Sequence, residues 1–258
     1  MSDPAGGMNG SLFRPTLVPS VEETSRRYPF WGYRDIALFI SMALPSFILA
    51  LVLMKVFLSV APWYPRTKAT ELLPAQFLAY GLWFLSLYLL LHLKYGRPFW
   101  SSLAWRVVPG QLRKSALLGL ALAFGVAITG GLLKTPQIEM PFEDFLKDPL
   151  SIALVAVFAV TLGPLFEELA FRGFFQPLLV RSAGPIPGIL IAALPFSLLH
   201  GPQYAWSWRH ILLITLAGCA FGWHRHRTGS TAAAAIMHSA YNLMFVTAYI
   251  LQGRYATP

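Results

Sequence analysis

The sequence predicts an all-α, polytopic integral membrane protein with seven or eight transmembrane helices. Three observations carry that expectation. Of the 258 residues, 56% are hydrophobic and only 12% charged, and the mean hydropathy is +0.56. A soluble domain carries about 25% charged residues. Apolar residues gather in seven runs, near 36–58, 74–93, 115–133, 150–180, 186–202, 209–223 and 231–251. A helix crosses the bilayer core with about 20 mostly apolar residues. Turn-forming residues separate the runs: Pro62 and Pro65, Gly96 and Pro98, Pro136 and Pro141, Gly184 to Pro187, Gly201-Pro202, and Thr228-Gly229.

Before the first run, residues 1–30 are rich in Pro, Gly and Ser and read as a flexible tail without a cleavable signal. Residues 31–258 then form one transmembrane domain. The fourth run is too long for one straight span. Gly163-Pro164 is expected to kink it or to split it into two helices. The segment 139–148, with Glu139, Glu143, Asp144 and Asp148, reads as an acidic connecting loop. His224-Arg225-His226-Arg227 reads as a basic loop and a topology signal. Cys219, the single cysteine, excludes an intrachain disulfide and reads as a packing residue.

The net charge of +9 does not imply nucleic-acid binding, because Lys and Arg lie between the apolar runs. Their excess falls on the side of the N-terminus, at Arg14, Arg26, Arg27 and Arg34 and again at Lys94, Arg97, Arg106, Arg113 and Lys114. This places the N-terminus in the cytoplasm by the positive-inside rule.

Chemistry-bearing residues interrupt three of the runs. In the fourth, Glu167 and Glu168 are adjacent and Arg172 follows. A charge near the centre of a membrane helix costs about 2.5–3.5 kcal/mol on insertion scales, so such groups point to function. Glu168 and Arg172 are four apart and share a helix face, where they can pair. Glu167 is turned by about 100° and can address a cavity. A purely structural ion-pair staple needs one acid, not two. In the fifth run Phe196 precedes His200 by four positions, and in the seventh His238 precedes Asn242 by four, flanked by alanines that allow close helix approach.

A carboxylate, two imidazoles and an amide from three membrane helices can converge on one water. Glutamate can act as its general base, and histidine and asparagine can donate to an oxyanion. Glu and two His can equally hold a zinc ion with a water in the fourth position. The helical zinc-protease signature HExxH is absent.

In order and spacing, Glu167-Glu168-Arg172 (EExxxR), Phe196-His200 (FxxxH) and His238-Asn242 (HxxxN) resemble the motifs of the CAAX-processing and bacteriocin-processing intramembrane protease family, which includes the Rce1-type prenyl-protein endopeptidases. The resemblance covers residues 167–242; the upstream spans add no motif. It implies that Glu167 activates water, assisted by His200, that His238 and Asn242 stabilise the oxyanion, and that Glu168, Arg172 and Phe196 support the site. It implies no metal cofactor, with zinc as the alternative. The substrate would be a peptide or protein, prenylated in the Rce1-type case, reached through membrane lipid and without nucleic acid. Non-enzymatic bacteriocin immunity or scaffolding is the other role linked to the family. A proton-coupled transporter would use the same buried Glu, Arg and His, but no inverted hydropathy repeat supports it.

Overall fold

A computed structural model describes residues 28–138 and 148–252. The predicted tail up to residue 27 and the acidic segment 139–147 lie outside the described residues. No strand occurs among the described residues, so the all-α expectation holds. Each of the seven apolar runs forms a helix. They are α1 (Tyr33–Val60), α2 (Lys68–Lys94), α3 (Pro109–Leu132), α4 (Pro149–Ala183), α5 (Pro185–Leu199), α6 (Trp208–Thr228) and α7 (Thr231–Leu251). Among the described residues, α1, α2, α3, α4 and α7 are long and apolar enough to cross a membrane. The 15 residues of α5 span only about 22 Å at 1.5 Å per residue, short of a full crossing. In α6, Arg209 and His210 at the start and Arg225 and Arg227 at the end leave a shorter apolar middle.

Gly163-Pro164 does not split the fourth run. α4 continues through all 35 residues. It absorbs the proline by widening into π-helical turns at Phe158–Leu162 and again at Leu169–Phe175. A π turn bonds each N–H to the carbonyl five residues back, adding a residue to the turn and rotating the faces that follow. The N-terminus of α4 is capped by Asp148, which accepts from the Ser151 amide (2.9 Å) and hydroxyl (2.5 Å). Those bonds hold the Asp148 carboxyl below its usual range. The Ser151 hydroxyl also lies 3.2 Å from that of Thr67, the N-cap of α2, tying the starts of the two helices.

The run His224–Arg227, expected as a loop, is the last turn of α6. Interhelical partners keep it wound. His224 Nε2 lies 2.8 Å from the Ser115 hydroxyl on α3. The buried Arg225 donates to Thr231 Oγ1 and to the Tyr28 hydroxyl, both at 2.9 Å. Tyr28–Phe30, the end of the predicted tail, thus pack on the helices. Trp31 is fully buried, with its indole N–H donating to the Phe174 carbonyl at 3.0 Å.

α7 runs along α3 and against the first wide turn of α4. The approach to α3 is set by Gly119, where a Cβ would fall 2.1 Å from the Met237 carbonyl oxygen and 2.9 Å from the Ala240 Cβ. The alanines of α7 and Ala123 of α3 are buried at this contact. Small residues let backbones meet closely where lipid gives no hydrophobic drive between helices. Gly119→Ala should therefore force the two helices apart and cost about 1–3 kcal/mol, as overpacking does. Gly125→Ala, on the same helix with nothing within 4 Å of its would-be Cβ, should leave stability unchanged or slightly raised. Thermal melting of the two variants in detergent checks the pair.

Candidate active site

The ionisable groups in the apolar bundle meet where α4, α5, α6 and α7 adjoin. Glu168 is the last residue of the α-helical stretch between the two wide turns of α4, and its side chain is 0% exposed. Its Oε1 accepts from Arg172 Nη1 at 2.8 Å and lies 3.0 Å from His238 Nδ1. Its Oε2 is buried without a hydrogen-bond partner among the described residues. Arg172, also buried, gives its Nη2 to the Gly218 carbonyl of α6 at 2.9 Å. The guanidinium lies over the Phe196 ring of α5, 4.5 Å from its centroid, with Phe221 at 5.5 Å. Aromatic faces are favourable ground for a desolvated cation.

Gly218 makes that arrangement possible. A Cβ there would sit 3.2 Å from both Arg172 Nη2 and the Phe196 ring. One turn on, the pattern repeats: Gln176 Nε2 donates to the Gly222 carbonyl at 2.8 Å, and a Gly222 Cβ would be 2.7 Å from Gln176 Oε1. Two side chains four apart on α4 thus bond two glycine carbonyls four apart on α6. Sequence reasoning missed Gln176, Gly218 and Gly222. The Gly-x-x-x-Gly spacing opposite an Arg-x-x-x-Gln spacing was the available signal.

His238 is fixed by stacking on Phe221 (centroids 4.5 Å apart, planes 20°) and by the edge of Phe196 at 5.9 Å. A carboxylate only accepts, so Nδ1 carries the proton shared with Glu168. The other ring nitrogen, Nε2, faces Glu167 Oε2 at 3.8 Å, beyond hydrogen-bond range. Glu167 differs from its neighbour in exposure: 26% against 0%.

Asn242 has a role in the backbone that its spacing did not show. In the first wide turn Gly163 N–H bonds the Phe158 carbonyl, five residues back. In that register the Ala159 carbonyl would pair with residue 164, a proline without an N–H. Asn242 Nδ2 supplies the missing donor at 2.8 Å.

His200 ends α5 as its C-cap. Its Nδ1 lies 2.8 Å from the Phe196 carbonyl, which again assigns the proton to Nδ1 and the lone pair to Nε2. Its ring is 4.9 Å from that of Phe196, which also borders His238. No hydrogen bond or ion pair joins His200 to Glu167, Glu168 or His238. Phe196 is thus the common wall of the two histidines and Arg172. Cys219, half-buried on α6, makes no disulfide.

α2, which also packs on α4, contributes Tyr80. Its ring lies 5.0 Å from that of Phe166 and 6.1 Å from that of Phe158, and its hydroxyl accepts from Gln76 Nε2 at 3.1 Å. Nothing in the local sequence marked this residue. Among the described residues, no group of three His, Cys, Asp or Glu side chains converges as a set of metal ligands.

The arrangement separates two carboxylates in one apolar helix. One is buried and engaged at a single oxygen by a guanidinium and an imidazole. The other is partly open and faces an oriented imidazole, as a general base for water requires. No curated protein and no solved structure is matched by the chain. Residues 149–244, the stretch from the start of α4 into α7, match the model of a family described as type II CAAX prenyl endopeptidase Rce1-like. The matched stretch carries Glu167, Glu168, Arg172, His200, His238 and Asn242, and over it the chain is similar to the Rce1-like family.

Proposed function

We propose that this protein is an intramembrane endopeptidase in which Glu167 activates water for peptide-bond hydrolysis. The observation that carries the reading is the division between the two glutamates. Glu168 is consumed by Arg172 and His238, whereas Glu167 is open and faces His238 without a direct hydrogen bond. In the reaction Glu167 takes a proton from water as the oxygen attacks the scissile carbonyl. It then returns the proton to the departing amine. The Glu168–His238 bond fixes the imidazole so that Nε2 points at the reacting water and at Glu167. His200, with its lone pair on Nε2, accepts from the same water or from the substrate amide. Asn242 holds the carbonyl ladder of α4 in place and keeps its second N–H for the substrate.

The family description points to a substrate with a prenylated cysteine near its C-terminus, from which the terminal tripeptide is released. A site among membrane helices suits a lipid-anchored chain, and the Lys and Arg distribution supports a cytoplasmic N-terminus. The reaction as written uses carboxylate and imidazole chemistry alone.

Glu167→Gln should lower kcat by about 10²–10⁴-fold, the range of one general base. Stability should change by less than about 0.5 kcal/mol, because no bond is broken. Full cleavage by this variant of a peptide ending in farnesyl-cysteine and three further residues would end the reading. Arg172→Leu should behave oppositely. It leaves Glu168 buried without its cation, with only the His238 hydrogen bond, and should cost about 3–5 kcal/mol, read as a lower melting temperature or loss of folded protein. Chelators should leave cleavage intact. Activity lost to a chelator and restored by zinc would move the chemistry to a metal-bound water.

A further inference from the structure

The groups that the reaction would use carry few protons to donate. The Nδ1 proton of His200 is committed to the Phe196 carbonyl, and that of His238 to Glu168. A neutral imidazole has one N–H, so neither ring donates from Nε2 unless it takes a second proton. One N–H of Asn242 is committed to Ala159. The tetrahedral intermediate of peptide hydrolysis nevertheless develops a full negative charge on the former carbonyl oxygen, and stabilising it is commonly the largest single contribution to catalysis.

The Tyr80 hydroxyl is a neutral donor with its proton to give. Its oxygen already accepts from Gln76 at 3.1 Å, and no acceptor among the described residues takes its proton. A hydrogen bond received at the oxygen polarises the O–H and strengthens it as a donor. The ring is gripped by Phe166, the residue before Glu167, and by Phe158, the residue before Ala159, so the phenol is fixed against both edges of the break around Pro164. Glu167 directly follows Phe166, on which the Tyr80 ring packs, and forms no hydrogen bond to the hydroxyl. A group bound beside Glu167 can therefore meet His238 from α7 and Tyr80 from α2.

We propose that Tyr80 is a catalytic residue that donates a hydrogen bond to the oxyanion, with Gln76 as its positioning residue. The proposal rests on the reading of Glu167 as the base. When the water oxygen bonds to the carbonyl carbon, its proton passes to Glu167 and the carbonyl π electrons move to oxygen. There the Tyr80 O–H meets them without transferring its proton. On collapse the C–O double bond re-forms and the C–N bond breaks. The amine nitrogen takes the proton from Glu167, and both side chains return to their starting states.

Tyr80→Phe keeps the ring on Phe158 and Phe166 and removes only the hydroxyl. Assayed on the farnesylated peptide and its unprenylated counterpart, it should lower kcat by about 100-fold, with KM within a factor of three and the melting temperature unchanged. Gln76→Leu should give a smaller loss of kcat, as expected of a residue acting through Tyr80. Wild-type kcat in Tyr80→Phe, alongside an inactive Glu167→Gln, would overturn the proposal and leave the glutamate reading standing. A kcat loss accompanied by a lower melting temperature would assign the hydroxyl a structural role and also overturn it. If wild-type protein cleaves neither peptide, the peptidase reading fails and the proposal fails with it.

Discussion

Glu168 Oε1 receives Arg172 from its own helix and His238 from α7, inside a bundle where neither charge is hydrated. Removing a carboxylate and a guanidinium from water costs several kcal/mol each, and that cost is recovered only where every remaining donor and acceptor is met closely. The neighbouring architecture follows from that demand. Arg172 needs a second acceptor, so α6 must bring the Gly218 carbonyl to 2.9 Å, and a Cβ there would press on the guanidinium and on Phe196. The cation needs aromatic faces, supplied by Phe196 and Phe221. His238 needs its ring held, and Phe221 stacks on it. One oxygen atom thus helps fix the relation of α4, α5, α6 and α7.

The second constraint is the peptide backbone. Within lipid an unmet carbonyl is as costly as an unmet charge is conspicuous. Pro164 removes an N–H from the middle of α4, and the helix answers by widening rather than breaking. The carbonyl left over is bonded by an amide from α7. Glu167 and Glu168 lie on a short α-helical stretch with a wide turn on each side. A feature that would weaken an isolated helix is in this way used to aim side chains, with Asn242 compensating for it.

Much of this was legible in one dimension. Seven apolar runs became seven helices because an apolar segment removed from water satisfies its own backbone as a helix. Glu168 and Arg172 paired because residues four apart share a face. The misreadings have equally definite causes. His224–Arg227 looked like a loop because charge ends an apolar run, yet Ser115, Thr231 and Tyr28 give that turn partners that no local window contains. The bend expected at Gly163-Pro164 was real as a backbone defect, but whether such a defect kinks, splits or widens a helix depends on who bonds the freed carbonyl. Tyr80 and Gln76 carried no pattern at all, since a tyrosine in an apolar run ordinarily reads as packing.

The sequence by itself therefore determined which segments are helical, that the chain suits a membrane, and where ionisable residues interrupt its apolar runs, because periodicity, hydropathy and i,i+4 spacing act within one helix. Tertiary structure decided the full burial of Glu168 against the partial exposure of Glu167, the hydrogen-bond partners of His200 and His238, and the partner of Asn242. Each of those depends on a contact between residues far apart in the chain: Glu168 with His238, Arg172 with Gly218, Asn242 with Ala159. Hydrogen-bond direction and burial are properties of such contacts, and they exist only once the helices have packed.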